Sequence, residues 1–263
     1  MKQLLIRSLT GIVFVTLVIG SMFVHKWAFY AVMAFCVVMG TIEFVSMMTK
    51  KDVRLSLPMT LLLNMAAFAL VLLQQSWAYI LPVALLVFVY ELIRHKASAV
   101  DNMAYAVFSM LWFAIPLAIV CLMLNISRPL VILFFAAIWL YDSGAYCVGS
   151  LIGKHRLYAS VSPKKSLEGA IGGFVITLVL SYFIPQLSGV NINLTSWQWV
   201  LLMALCMIAS TFGDLTESLI KRTVNVKDSG NIMPGHGGIL DRFDSVFFAA
   251  PVVYVVLLLL IIC

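Results

Sequence analysis

The chain has 263 residues, 63% hydrophobic and 11% charged, with 17 Lys and Arg against 11 Asp and Glu and a net charge of +6. With a mean hydropathy of +1.07, this balance excludes a soluble globular domain and points to an all-α, polytopic integral membrane protein. Nor does the positive charge indicate nucleic acid, because the basic residues are strung between apolar segments; a membrane surface, anionic headgroups and nucleotides suit it better.

The chain opens MKQLLIRSLTGIVFVTLVIGSMFV, with the basic start and apolar run of a signal peptide but no small-x-small cleavage site. It reads as an uncleaved first helix. A bilayer crossing takes about 20 apolar residues, and about nine candidates follow in order: 4–24, 28–48, 55–74, 77–94, 103–124, 129–150, 167–187, 196–217 and 244–262. Glu43 and Glu91, near the ends of the second and fourth, read as interfacial. The seventh opens with Gly169, Gly172 and Gly173, a spacing that permits close helix approach. Cys36, Cys121, Cys147, Cys206 and Cys263 lie in apolar stretches without metal-ligand spacing, which sets aside disulfides and zinc.

Charge orients the spans. All of the 17 Lys and Arg except Lys26 and Arg128 fall near one set of loops, and the positive-inside rule makes that side cytoplasmic. The N-terminus is then inside and the C-terminus outside. The polar loops 151–166 and 218–243 share the cytoplasmic face of what reads as a cell (inner or plasma) membrane protein. Residues 1–128 read as lipid-facing scaffold helices and 129–263 as a catalytic membrane domain.

Several polar residues demand a reason, since each Asp, Lys or Arg at mid-membrane costs roughly 2.5–3.5 kcal/mol. Asp142, deep in the sixth span, is a functional candidate, with a buried structural pair as the alternative. In Ser162-Pro163-Lys164-Lys165-Ser166, Ser166 is an N-cap for the next helix. Lys164 and Lys165 either hold a phosphate or anchor the loop to the membrane surface. Asp214, Glu217, Ser218, Lys221 and Arg222 share one helical face; they form either i,i+4 pairs at an interface or a charged face on a cavity. The Pro234-Gly235-His236-Gly237-Gly238 segment breaks that helix, frees backbone N–H groups and lets the main chain approach a ligand. His236 is either a general base or a hydrogen-bonding loop residue. Asp241 and Asp244 open the last helix, where Asp244 also suits the helix dipole. A hairpin over 218–240 would bring Asp241 beside Asp214, and two facing carboxylates suit magnesium, which takes one or two carboxylates with waters and phosphate oxygens.

The run S-L-I-K-R-x4-K-D-x-G-x2-M-P-G-H-G-G-I-x-D-R-F-D, Ser218 to Asp244, resembles the diagnostic motif of the phosphatidate cytidylyltransferases, also called CDP-diacylglycerol synthases. Met233 stands where that family usually has Leu, Ile or Phe. S-P-K-K-S-L-E-G-x2-G-G (Ser162 to Gly173) and Y-D-S-G-A-Y (Tyr141 to Tyr146) resemble two further elements, with Ser166-Leu167 where Thr-Trp is commoner. The resemblance implies that CTP and phosphatidic acid give CDP-diacylglycerol and pyrophosphate in an all-helical membrane fold opening to the cytoplasm. It implies Mg2+, with K+ a candidate second cation, and a homodimer as a candidate assembly. Metal binding then falls to Asp214, Asp241 and Asp244. Lys221, Arg222, Lys227 and Arg242 neutralise phosphate, aided by Lys164 and Lys165. Asp228 and His236 join the catalytic set, and Ser162, Ser218, Gly237, Gly238 and Asp142 the substrate contacts. The phosphatidate nucleophile is already an anion, so the reaction needs positioning and charge neutralisation more than a strong base. Two rivals remain: a lipid kinase using CTP, which releases CDP, and a transporter whose acids relay ions.

Overall fold

The computed structural model describes residues 2–51, 53–94, 98–186, 192–232, 235 and 237–262. Helices dominate, because in hydrocarbon a backbone N–H or C=O must find its partner within its own segment. In chain order they are α1 (Lys2–Val24), α2 (Lys26–Thr49), α3 (Leu57–Leu72), α4 (Ile80–Arg94), α5 (Ala99–Ser109), α6 (Ile115–Ile126), α7 (Arg128–Ile152), α8 (Leu167–Ser181), α9 (Ser196–Thr223) and α10 (Leu240–Ile262). Local sequence sets their ends. The His25 ring accepts from Trp27 N to cap α2, Pro58 and Pro129 sit in the first turns of α3 and α7, and Asn225 at φ 55° stops α9.

Five stretches are long and apolar enough to cross a bilayer: α2, the continuous Ala99–Ile126, α7, α9 and Leu240–Ile261. The described residues thus form a helical integral membrane protein. Every predicted span contains a helix, but α3, α4 and α8, with 16, 15 and 15 residues, fall short of the roughly 20 that a simple crossing takes.

The chain divides into two compact units, Met1–Leu122 with Ile220–Phe243 and Met123–Leu219 with Asp244–Cys263. In the first, α2 packs on α1 and α3, and α3 on α4 and α5. Phe29, Met33, Phe44, Leu63 and Phe113 are fully buried there, and Phe44 gathers Phe108, Trp112 and Phe113 around it. A polar thread ties three of these helices together. The Asn64 amide donates to Thr41 Oγ1 at 2.9 Å, and its oxygen meets Ser109 Oγ at 3.2 Å. Between α5 and α6 the helix widens into a π-turn, Met110–Ala114, in which Ile115 N bonds to Met110 O. Pro116 follows and has no N–H to give the preceding turn, which explains the widening.

Glu43 and Glu91, read from the sequence as interfacial, are packed against protein: they are 4% and 2% exposed. Glu91 accepts from Arg94 Nη1 at 2.7 Å and Asn102 Nδ2 at 2.8 Å. Neither acid could stay so deep without such donors.

In the second unit α7 lies along α8. A Cβ on Gly144 would sit 3.1 Å from Gly173 Cα, and one on Gly173 would sit 2.5 Å from the Tyr141 carbonyl, so the expected close approach at the α8 glycines is present. The 151–166 segment adds what an all-α reading omits, an antiparallel hairpin of β1 (Arg156–Tyr158) and β2 (Ser162–Ser166), with Tyr158 opposite Ser162 and Arg156 opposite Ser166.

Candidate functional site

The hairpin is what aims the lysines. Successive strand residues point to opposite sides: Lys164 is exposed and Lys165 half-buried. Ser166 ends the strand and caps α8, accepting from Gly169 N at 3.1 Å, as its position before the helix led us to expect. Behind it, Glu168 accepts from Lys154 N at 3.0 Å and His155 N at 3.1 Å, which pins the hairpin to the helix.

Lys165 Nζ donates to Asp214 Oδ2 on α9. Burial works against the ammonium, but Asp214 first, then Asp142 and Asp244, outweigh it and raise Lys165 above the ordinary lysine range. Asp142 comes from α7 and Asp244 from α10, so carboxylates on three helices act on one ammonium, with Asp214 in direct contact. Beside them the Tyr141 and Thr211 hydroxyls are 2.7 Å apart, and Ser218 Oγ reaches Asp214 Oδ1 at 3.4 Å. α10 comes this close to α9 because residue 213 is glycine: a Cβ there would lie 2.5 Å from the Asp244 carbonyl. A cavity of about 490 Å³ opens on this cluster, lined by Asp142, Lys164, Lys165 and Asp214 together with Tyr146 and Arg156. Its size suits a nucleotide or a lipid headgroup.

The first unit holds the segment between α9 and α10. There Asp241 Oδ1 accepts from Lys221 Nζ at 2.7 Å. Asp241 Oδ2 accepts from Ser229 N at 2.9 Å, Ser229 Oγ at 2.9 Å and Gly238 N at 2.7 Å. Gly237 adopts φ +84°, a left-handed conformation that side chains resist, and a Cβ there would collide with the Asp241 carboxylate.

Of the sequence candidates, Asp142, Lys164, Lys165, Ser218, Asp214 and Asp244 gather in the second unit. Lys221, Gly237, Gly238 and Asp241 gather in the first. Ser162 starts β2 half-buried, while Arg222, Lys227, Asp228 and Arg242 are exposed; Arg222 Nη1 lies 3.5 Å from Val226 O. His236 lies outside the described residues. Sequence reasoning missed Tyr141 and Thr211 as partners, and it missed Glu43, whose signal was a lone acid inside an apolar span.

Residues 5–260 match the model of the cytidylyltransferase family. The chain is 47% identical over 124 residues to the phosphatidate cytidylyltransferase of Staphylococcus haemolyticus (strain JCSC1435), covering 47% of each. Identity to the protein of that name from Staphylococcus aureus (strain COL) is 45% over 127 residues, again 47% of each. For that of Bacillus subtilis (strain 168) it is 46% over 132 residues, 48% of this chain and 47% of the relative. The chain thus spans about half the length of the curated relatives it matches. With a family match running nearly end to end, the chain belongs to the cytidylyltransferase family.

Proposed function

We propose that this protein transfers the cytidylyl group of CTP to phosphatidic acid, giving CDP-diacylglycerol and pyrophosphate. The observation that carries the reading is the cavity of about 490 Å³ in which Lys164 and Lys165 stand beside Asp142 and Asp214. Cations there suit phosphates, and surplus carboxylates suit the metal that accompanies them. The names of the relatives support the choice of nucleotide and lipid.

The residues fit magnesium. Among the described residues no three His, Cys, Asp or Glu side chains form a ready cage, but magnesium needs only one or two carboxylates and completes its shell with water and phosphate. Asp214 and Asp244 supply hard oxygen donors, and three acids against one lysine leave negative charge for a cation to balance. Asp241 is proposed as a ligand from the motif alone; its Oδ1 accepts from Lys221 and its Oδ2 from Ser229 and Gly238. When bound, the metal would supply charge neutralisation to the triphosphate, with K+ the proposed second cation.

The chain's own residues do the rest by position. A phosphatidate oxygen attacks the α-phosphorus of CTP in line, the α–β bridging P–O bond breaks, and pyrophosphate leaves with that bond's electron pair. No proton has to be removed from the attacking oxygen. Lys164 and Lys165 hold the phosphates, and Lys221, Arg222, Lys227 and Arg242 are the further cations that the motif offers. Such alignment and electrostatic complementarity account for most of the rate in phosphoryl-type transfers.

In this reading the bilayer is crossed about nine times, with the N-terminus and both polar loops cytoplasmic, where CTP is found. Residues 1–128 serve as scaffold and 129–263 as catalytic domain. Purified protein in detergent, given CTP, magnesium and phosphatidic acid, is expected to release pyrophosphate only when the lipid is present. Equal release without lipid, or none with it, would overturn the proposal.

A further inference from the structure

Glu43 lies on α2, within a stretch whose neighbours Phe44 and Val45 are buried and apolar. Its carboxylate meets a segment 186 residues further along the chain. Oε1 accepts from Ile239 N at 2.8 Å, and Oε2 accepts from Leu240 N at 3.0 Å and Ser229 Oγ at 3.1 Å. Leu240 opens α10 and Ile239 immediately precedes it, so their N–H groups have no carbonyl of that helix to bond. An anion at that end also meets the positive pole of the helix dipole. Glu43 therefore caps α10 from another helix.

The glycines of the motif bear the same imprint. A Cβ on Gly230 would lie 2.6 Å from Glu43 Oε1, and one on Gly238 would strike both the Ser229 hydroxyl and the Glu43 carboxylate. Smallness at these two positions is explained by the carboxylate that fills the space. Ser229 Oγ stands between Glu43 and Asp241, at 3.1 Å and 2.9 Å, so Glu43 adjoins the same hydroxyl that helps fix Asp241, the partner of Lys221.

We propose that Glu43 is a positioning residue: it fixes Ser229, Gly238 and the start of α10, and through them the placement of Asp241 and Lys221. α2 then helps to hold the 229–241 segment through a specific side chain. The consequence for turnover rests on the function proposed above, whereas the consequence for the segment's conformation does not.

The test uses full-length protein in detergent or nanodiscs. Hydrogen exchange of peptides covering residues 237–241 is measured beside lipid-dependent conversion of CTP. Glu43→Gln keeps the size but turns one acceptor oxygen into a donor facing another donor. It is expected to raise exchange at residues 237–241 at least about tenfold while α7 and α8 peptides stay protected, and to lower turnover on the order of a hundredfold. Glu43→Asp, which restores an anion with a shorter reach, is expected to recover part of both. Should Glu43→Gln fold poorly, Gly230→Ala is the second probe, since its Cβ pushes on Oε1 with Glu43 unchanged. Unaltered exchange in Glu43→Gln, or in Gly230→Ala, overturns the proposal whatever the activity. Raised exchange with an inactive parent protein upholds the positioning and refutes the function.

Discussion

Replacing Lys165 by methionine keeps the length of the side chain and removes the ammonium that Asp214 holds. A unit ion pair at 4 Å is worth ~4 kcal/mol at an effective dielectric near 20 and ~1 kcal/mol in water. With the Lys165 side chain 33% exposed and that of Asp214 20% exposed, the pair falls between these limits, at about 2 kcal/mol. Asp142 and Asp244 are then left facing Asp214 without compensation, so the loss should show as a lower Tm in detergent. The effect on chemistry is larger. Removing one preorganised group from the place where charge develops costs about 10²–10³ in kcat. Lys164→Met, on the exposed side of the same strand, is the control, and its effect should fall on KM and stay within about tenfold. The assay is lipid-dependent conversion of CTP at saturating substrate. A Lys165→Met protein that folds normally and turns over within about threefold of the parent would refute the placement of Lys165 at the reacting phosphates.

The remaining expectations are shorter. Asp214→Asn and Asp244→Asn should each abolish turnover while leaving insertion intact, with Asp214→Asn also lowering Tm because it breaks the Lys165 pair; near-normal activity in either removes that residue from the metal site. Gly173→Leu should lower stability by at least about 1–3 kcal/mol, because even a Cβ there lies 2.5 Å from the Tyr141 carbonyl, and an unchanged Tm would contradict the α7–α8 crossing. Lys165 also sets a pH expectation. Its folded-state value is raised above the ordinary 10.5, so the stability it contributes is fully present below that value and is lost only as pH rises through the higher folded one. Thermal melts from about pH 7 to about pH 9 should accordingly show the same Lys165→Met deficit throughout; a deficit that disappears by pH 9 would contradict the shift.

The charged motif was legible because it is out of place. Aspartates and lysines between apolar spans, punctuated by Gly237 and Gly238, have few explanations besides a polar site. The α7–α8 contact was legible for a related reason, since glycines at helical spacing have little use except close approach. Glu43 was not, because its meaning resides in partners 186 or more residues away, and a single acid near a helix end looks the same whether it faces water or caps another helix. The β1–β2 hairpin was hidden as well. Ser162-Pro163-Lys164-Lys165-Ser166 lacks the β-branched residues that announce a strand, and pairing with Arg156–Tyr158 and the α8 cap impose the extended form. Span ends were less legible: a hydropathy pattern reports apolar length but not where α3 and α8 stop being helical.

The most direct test gives purified protein phosphatidic acid, magnesium and CTP labelled both in the cytosine and at the γ-phosphate. Cytosine label in the lipid phase with the γ-label leaving as pyrophosphate is the expected result. The γ-label in the lipid with free CDP would make the protein a kinase, and no transfer of either label would contradict the assignment of the site to nucleotidyl transfer.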